Sequence, residues 1–502
     1  MLKGFTRRFK PLEILREEDV EAIHKGILDV LEQTGVTFLH ERALKVFEKN
    51  GCKVDYDEER VRIPPWLVEE CLRKTPSSYH VKARDPKKDL AIGANTLYFA
   101  NNVGMSTMDL DTWEPRIPTR KENYDAVKIM DALDNQHLTA CYSPYFGFEG
   151  VPPVMAMLES DAARVRNSSK FTWLPYANDC EVFSIEMAKT VGTQAFGQFL
   201  PAPPLTYYSD AIEAAFRWIE ADFPLHIAPG DVYGGTAPAT IAGASVTHNA
   251  VIIAGIVLAQ LIKPGAKVIP NDMSFPQNMR TGAPAFGEIG ASLHGAIFNQ
   301  IYRKYGVPTL DSDAAYTSSK RIDFQSSYER AIGALTRVVS GTHIMCLHGA
   351  LHGELTWSPI LAILDDDMAG MIGRFIQGVE VDDETLALDL INQVGPIPGN
   401  YLNTAHTRQW WKKEQFVPKA ADRLTYPEWM KTGKRDCIDY AKQRMEEILA
   451  THKPIPLTSS QEEEIERILN KAREYYRKKG LISDEEWSVY MKSLKSPNYP
   501  FA

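Results

Sequence analysis

From about residue 120 the sequence settles into one rhythm, in which short apolar runs alternate with stretches of helical spacing. That rhythm constrains the fold more than any other feature. Neighbouring parallel strands need a crossover between them, and the crossover is usually a helix. The runs are HLTACYS (137–143), KFTWLPY (170–176), QFLPAPPLTYY (198–208), FPLHIAPG (223–230), AKVIPND (266–272), VPTLDSD (307–313), THIMCLHG (342–349) and GNYLNTAH (399–406). Eight strands with helices between them predict an α/β fold, a (β/α)8 TIM-type barrel with helical N-terminal and C-terminal extensions. An open doubly wound sheet is the alternative. No GxGxxG or GxxxxGKS/T follows any run, so neither dinucleotide nor P-loop phosphate binding is indicated.

The flanks read differently. REEDVEAIHKGILDVLEQTG spaces Val20, Ile23, Ile27, Leu28 and Leu31 as one helix face and ends at Gly35, and HERALKVFEKNG ends at Gly51 in the same way. NTLYFANNVGMSTMDLDTWEPRIPT reads as short strands and loops that cover a neighbouring surface. The C-terminal segments YPEWMKTGKRDCIDYAKQRMEEILATH and SSQEEEIERILNKAREYYRKKG are charged helices with solvated faces. The expected division is therefore a helical N-terminal extension with short strands (1–120), a barrel carrying the active site (121–425) and charged C-terminal helices (426–502).

A net charge of −9 argues against a nucleic-acid partner. The basic N-terminal residues lack the apolar core of a signal peptide, and AVIIAGIVLAQLI (250–262) is too short to span a bilayer, so it reads as a buried helix and no membrane is expected. Six cysteines without a CxxC pair point to a reducing cytoplasm rather than a disulfide framework.

In such a barrel the functional groups gather at the C-terminal ends of the strands. Tyr142 and Tyr145 end the first run, Trp173 and Tyr176 the second, and Tyr207 and Tyr208 the third. His226 lies in the fourth, Asn271 and Asp272 end the fifth, Asp311 and Asp313 the sixth, and His348 the seventh. A single aromatic there is ordinarily core packing, but several at the same end of successive strands suit a cationic ligand through cation–π attraction. The candidate substrate-binding set is Tyr98, Phe99, Tyr145, Trp173, Tyr207, His226, Asn271, Asp311, Arg321 and Phe324.

The stretch GTHIMCLHGALHGELTWSP (341–359) holds three histidines and a carboxylate. On a strand His348 shares a face with Ile344 and Cys346, while His343 points the other way. His348 is therefore expected to face the cavity, with His352 and Glu354 on the loop that follows; these three are the candidate catalytic residues. Gly349 and Gly353 favour a loop over a helix, which weakens a zinc reading of His348 and His352, and no metal is expected. His248 reads as a structural histidine, and the glycines of GDVYGGTAPAT (230–240) as permitting a tight turn.

Several segments taken together resemble the trimethylamine methyltransferase superfamily, the corrinoid-dependent methylamine and betaine demethylases. They are TGVTFLHERALKVFEKNGCKVDYDEERVRIPPWLVEECLRKTP, SLHGAIFNQIYRKYGVPTLDSDAAYTSSKRIDFQSSYE, LDDDMAG (364–370) and YLNTAHTRQWWKKEQFVPKAADR (401–423), and the likeness runs from about residue 10 to 450. Their order and spacing carry the match. The resemblance implies a (β/α)8 barrel that passes a methyl group from an N-methylated amine to cobalt(I) on a separate corrinoid-binding protein. The family's founding members carry pyrrolysine in a region that falls near residues 348–354, where this chain has standard residues only. That departure points to quaternary amines, glycine betaine foremost, with dimethylglycine as the product.

Carnitine, proline betaine and butyrobetaine are near alternatives as substrates. A carboxylate-bearing substrate requires a cationic or neutral donor near the cage, for which His348, Asn271 and Arg321 are candidates; Glu354, as an anion, is a poor carboxylate partner. No DxHxxG segment is present, so cobalamin is expected to arrive on the partner and not to be held by this chain. The resemblance also implies an anaerobic setting, and a homo-oligomer is expected. Two other classes stay open: a metal-dependent barrel hydrolase using His226, His348, His352 and Asp311, and a non-catalytic betaine-binding barrel.

Overall fold

In the computed structural model, which describes residues 3–139, 147, 149–496 and 499, eight parallel strands close into a ring. They are β1 (Thr96–Asn101), β2 (Leu138–Thr139), β3 (Phe171–Leu174), β4 (Ala195–Phe199), β5 (Leu225–Ile227), β6 (Val268–Asp272), β7 (Leu310–Asp311) and β8 (Ile344–His348). The ring closes because β8 pairs with β1, with Ile344 opposite Tyr98 and Met345 opposite Phe99. Between and after the strands run α1 (Arg120–Ala132), α2 (Pro153–Asn167), α3 (Cys180–Thr190), α4 (Ser209–Glu220), α5 (Ile241–Ile262), α6 (Ile289–Tyr305), α7 (Phe324–Ser340) and α8 (Pro359–Ile376). The (β/α)8 barrel read from the sequence is what the chain forms.

Besides the run 198–208, of which only Gln198 and Phe199 lie in a barrel strand, two strand positions differ from expectation. The ring opens with β1, from the stretch read as covering strands and loops, and no strand forms at 399–406. The residues of β1 explain the first difference. Leu97 and Phe99 pack outward in one apolar cluster with Met345, Leu347 and residues of α7 and α8, while Tyr98 and Ala100 pack inward in another. A strand buried on both faces is what a barrel wall requires. At the other position the hydroxyl of Thr404 accepts from the backbone N–H of Thr407 at 3.1 Å and so caps a helix, Ala405–Glu414, where a strand was expected.

The barrel floor is closed by a hairpin of Ser78–Val81 with Leu90–Gly93. Tyr79, Val81, Leu90 and Ile92 share one buried cluster with the inward side chains Tyr98, Phe171, Phe196, Ile269 and Ile344. The Tyr79 hydroxyl donates to the carbonyl of Val268, the first residue of β6, at 3.1 Å, which places the hairpin at the N-terminal rim. Small residues let helices approach the wall closely: a Cβ on Gly197 of β4 would collide with the Trp218 ring of α4.

The extensions are fastened by apolar burial. The N-terminal helices Glu17–Asp29, Glu41–Lys49 and Pro65–Lys74 pack with α4 and α5 in the largest core cluster. By length and composition α5 could cross a membrane, but Ala244 and the run from His248 to Gln260 are buried in the fold. The helix Cys437–Thr451 packs on α1 and α8, and Ser459–Lys478 packs on α2 and α3, so the charged C-terminal helices hide one apolar face each.

Candidate active site

Along each barrel strand alternate side chains point inward, so the residues that reach the open end are set by parity. On β3 the inward pair is Phe171 and Trp173; on β8 it is Ile344 and Cys346. At the C-terminal rim these positions surround a cavity of about 360 Å³. Its wall includes Asn101, Trp173, Gln198, His226, Asn271, Ser312 and Cys346, and loop residues Met273, Tyr316 and Glu354 complete it. That volume lies at the small end of ordinary ligand sites.

The rings of Trp173 and His226 stack with centroids 4.9 Å apart and planes 8° from parallel. Neither ring nitrogen of His226 has a hydrogen-bond partner among the described residues. Burial drops its pKa from 6.5 to about 3, so the imidazole is neutral at physiological pH. Asn271 is oriented by a reciprocal pair: its Nδ2 donates to Ser312 Oγ and its Oδ1 accepts from the Ser312 N–H, both at 2.9 Å.

Glu354 reaches the cavity from the loop after β8, where the Tyr316 hydroxyl donates to it at 3.2 Å. Burial raises the Glu354 pKa, partly offset by that hydrogen bond. Tyr316 is itself held between Phe275, stacked at 5.8 Å, and Phe286, edge-on at 5.6 Å.

Behind β6 and β7 the outward residues form a buried ionic cluster. Arg337 of α7 is paired with Asp272, and with Asp311 and Asp313 at 3.0 and 3.1 Å. His294 Nδ1 lies 2.8 Å from Asp272, and His248 is paired with Asp231. Burial opposes ionisation of all three aspartates around Arg337. The guanidinium and His294 nevertheless hold Asp272 low, whereas Asp311 rises to about 6.

The sequence-derived residues divide accordingly. Trp173, His226, Asn271 and Glu354 line one cavity. His348 does not: the β8–β1 register shifts between Cys346 and His348, and the ring turns outward. Its Nδ1 donates to the Ala100 carbonyl at 3.2 Å, and its Nε2 lies 3.6 Å from Asp366 of α8. His352 is half-buried with φ 51° outside the cavity wall, its N–H donating to Ser319 O at 2.9 Å. Phe99 and Asp311 face outward, and Tyr98 lies inward near the floor hairpin, its hydroxyl accepting from the Ala91 N–H at 3.3 Å.

Tyr207 is outside the barrel, stacked on Phe38 and Phe199, with its hydroxyl donating to Val251 O at 3.0 Å. Arg321 is exposed beside Asp323, and Phe324, at the start of α7, is 83% exposed. Tyr145 lies outside the described residues. His226, His348, His352 and Asp311, the hydrolase set, are therefore not brought to one point. Gln198, Ser312, Tyr316 and Cys346 were not singled out from the sequence. The signal for Gln198 was parity, since it pairs in register with His226 on the neighbouring strand.

The buried histidines set a pH response. His226 and His137 both fall from 6.5 to about 3, chiefly by burial. Between those values the unfolded chain binds more protons than the folded one, so stability is full above about 6.5 and is lost as pH falls through this window, by about 1.4 kcal/mol per unit for each group. The melting temperature is expected to drop on acidification from about pH 6.5, and less steeply in His226→Gln. Parallel curves for variant and wild type would show that the imidazole is not buried neutral.

A family model described as trimethylamine methyltransferase (MTTB) matches residues 1–476. Glycine betaine methyltransferase of Desulfitobacterium hafniense (strain Y51) is 29% identical over 453 residues, covering 88% of this chain and 93% of the relative. Trimethylamine methyltransferase MttB of Desulfitobacterium hafniense (strain DSM 10664 / DCB-2) is 28% identical over 457 residues, covering 88% and 90%. Among solved structures, the Methanosarcina barkeri monomethylamine methyltransferase (MtmB) aligns at 11% identity and a TM-score of 0.46, covering 86% of this chain and 92% of that one.

Proposed function

This chain belongs to the trimethylamine methyltransferase family, and from that membership we propose that it moves a methyl group from a quaternary ammonium compound to the cobalt(I) of a corrinoid carried by a separate protein. The observation that carries the reading is the joining of an aromatic face and a carboxylate, Trp173 and Glu354, in one small cavity at the C-terminal rim. A quaternary ammonium has no N–H to donate, so ring faces and negative charge are the means of recognising it.

The chemistry asks little of the protein's acids and bases. Cobalt(I) supplies the electron pair for the new bond to carbon, and the electrons of the broken carbon–nitrogen bond stay on nitrogen. The amine that leaves is already neutral, so no general acid is required. The neutral imidazole of His226 agrees with this. The chain's own contribution is to orient the methyl group toward the barrel mouth and exclude water. A cavity of about 360 Å³ accommodates a small amine and not a corrin macrocycle, so the acceptor approaches from outside. Cobalt(I) survives only without oxygen, so the proposed reaction is an anaerobic one.

Glycine betaine, the compound in the name of one relative, is the first substrate to try. The test is anaerobic: protein, cobalt(I) cobalamin or a corrinoid protein, and a panel of betaines, choline, tetramethylammonium and trimethylamine, followed by visible absorbance. Loss of the cobalt(I) band with growth of methylcobalamin for a quaternary amine is the expected result. No methyl transfer from any quaternary amine, with the corrinoid protein present, overturns the reading.

A further inference from the structure

We propose that the ammonium substrate carries an uncharged tail, and that Glu354 is the residue that selects against a carboxylate there. The inference rests on the reading above and narrows it.

The cavity's charge is one-sided. Among the described residues that line it, Glu354 is the single acidic side chain and there is no lysine or arginine. Residues 140–146 and 148, which the structure does not describe, are ACYSPYF and phenylalanine and add no charge in sequence. The arginines of α7 and of the loop before it are placed elsewhere. Arg330 donates to the carbonyls of Ala315 and Leu347 at 2.9 and 2.8 Å and pairs with Asp365. Arg337 is surrounded by Asp272, Asp311 and Asp313. Arg321 lies exposed beside Asp323 and outside the cavity wall.

A betaine bound in this cavity brings its carboxylate within reach of that of Glu354, and the lining supplies no lysine or arginine to offset the added charge. A separation of roughly 6 Å in a partly solvated site corresponds to about tenfold to a hundredfold in affinity. The ammonium end has the opposite relation: burial opposes the charge of Glu354, and a bound cation restores it.

What the cavity offers a tail is neutral. Gln198, the Asn271–Ser312 pair and the ring nitrogens of His226 can bond a hydroxyl or amide without any net charge. By strand order β4, which carries Gln198, stands opposite β8, whose following loop carries Glu354. An ammonium held near Glu354 thus has room to direct its tail across the barrel toward Gln198.

Titration calorimetry of the full-length protein with choline, tetramethylammonium and glycine betaine tests the charge without requiring turnover. Choline is expected to bind at least about tenfold tighter than glycine betaine, with Glu354→Gln reducing that ratio by about the same factor. Choline above tetramethylammonium assigns the neutral groups to a polar tail; equal affinities remove them from the proposal. Glycine betaine binding as tightly as choline to the wild-type protein overturns the inference, and a ratio unmoved in a folded E354Q protein overturns the role of Glu354. Methyl transfer from the same three compounds keeps the two readings apart. Transfer with betaine preferred removes the tail inference alone, selective choline binding without transfer removes the methyltransferase reading alone, and no binding of any of the three removes both.

Discussion

Exchange of Trp173 for alanine is expected to lower kcat/KM for methyl transfer by about thirty- to a hundredfold. A desolvated cation–π contact contributes about 2 kcal/mol or more, and each 1.4 kcal/mol is tenfold. The loss is compounded because Trp173 is the stacking partner of His226, which has no hydrogen bond of its own among the described residues. Trp173→Phe keeps a ring face and should recover much of the activity, which separates loss of the cage from loss of packing. A folded alanine variant within about threefold of wild type would remove Trp173 from substrate recognition.

Replacing Arg337 by methionine should destabilise the fold by about 3–5 kcal/mol, the usual penalty for stripping one partner from a buried ion pair. The guanidinium is shared by Asp272, Asp311 and Asp313, so its removal leaves three buried carboxylates facing one another. The defect should shrink as pH falls. Asp311 already sits near 6 with Arg337 present, and without it the carboxylates favour their protonated forms more strongly, so acid relieves the repulsion. Melting curves of the two proteins at about pH 7.5 and about pH 5.5 measure this, and a gap that widens in acid would contradict it.

The barrel is legible in sequence because seven of its walls are apolar runs flanked by helical spacing. The eighth is harder to read because its identity is tertiary. Thr96–Asn101 is a wall only through its pairing with Leu138 on one side and Ile344 on the other. Its local pattern, followed by turn residues, is equally that of a covering loop. The stretch at 399–406 has the reverse character: Tyr401 and Leu402 read as strand residues, but the threonine that follows caps a helix.

Parity decides the site. Trp173, His226 and Asn271 face inward by simple alternation, and the same alternation would have brought in Gln198 and Cys346. It would also have removed Asp311, one position from the inward Leu310. His348 breaks the rule through a register shift between two strands, which no single strand's pattern contains. Tyr207 and Phe324 are aromatic for other reasons, one in a stack outside the barrel and the other at an exposed helix start. Aromatic content alone does not separate a cage from a core.

The hairpin at the barrel floor has a kinetic consequence. With Tyr79, Val81, Leu90 and Ile92 filling that end, the described residues leave no way into the cavity through the floor. In the proposed reaction a small amine would enter at the C-terminal rim, and an acceptor protein docked there would cover the mouth. The proposed methyl transfer is therefore expected to follow a compulsory sequence: amine first, acceptor second, methylated acceptor away, and the demethylated amine last.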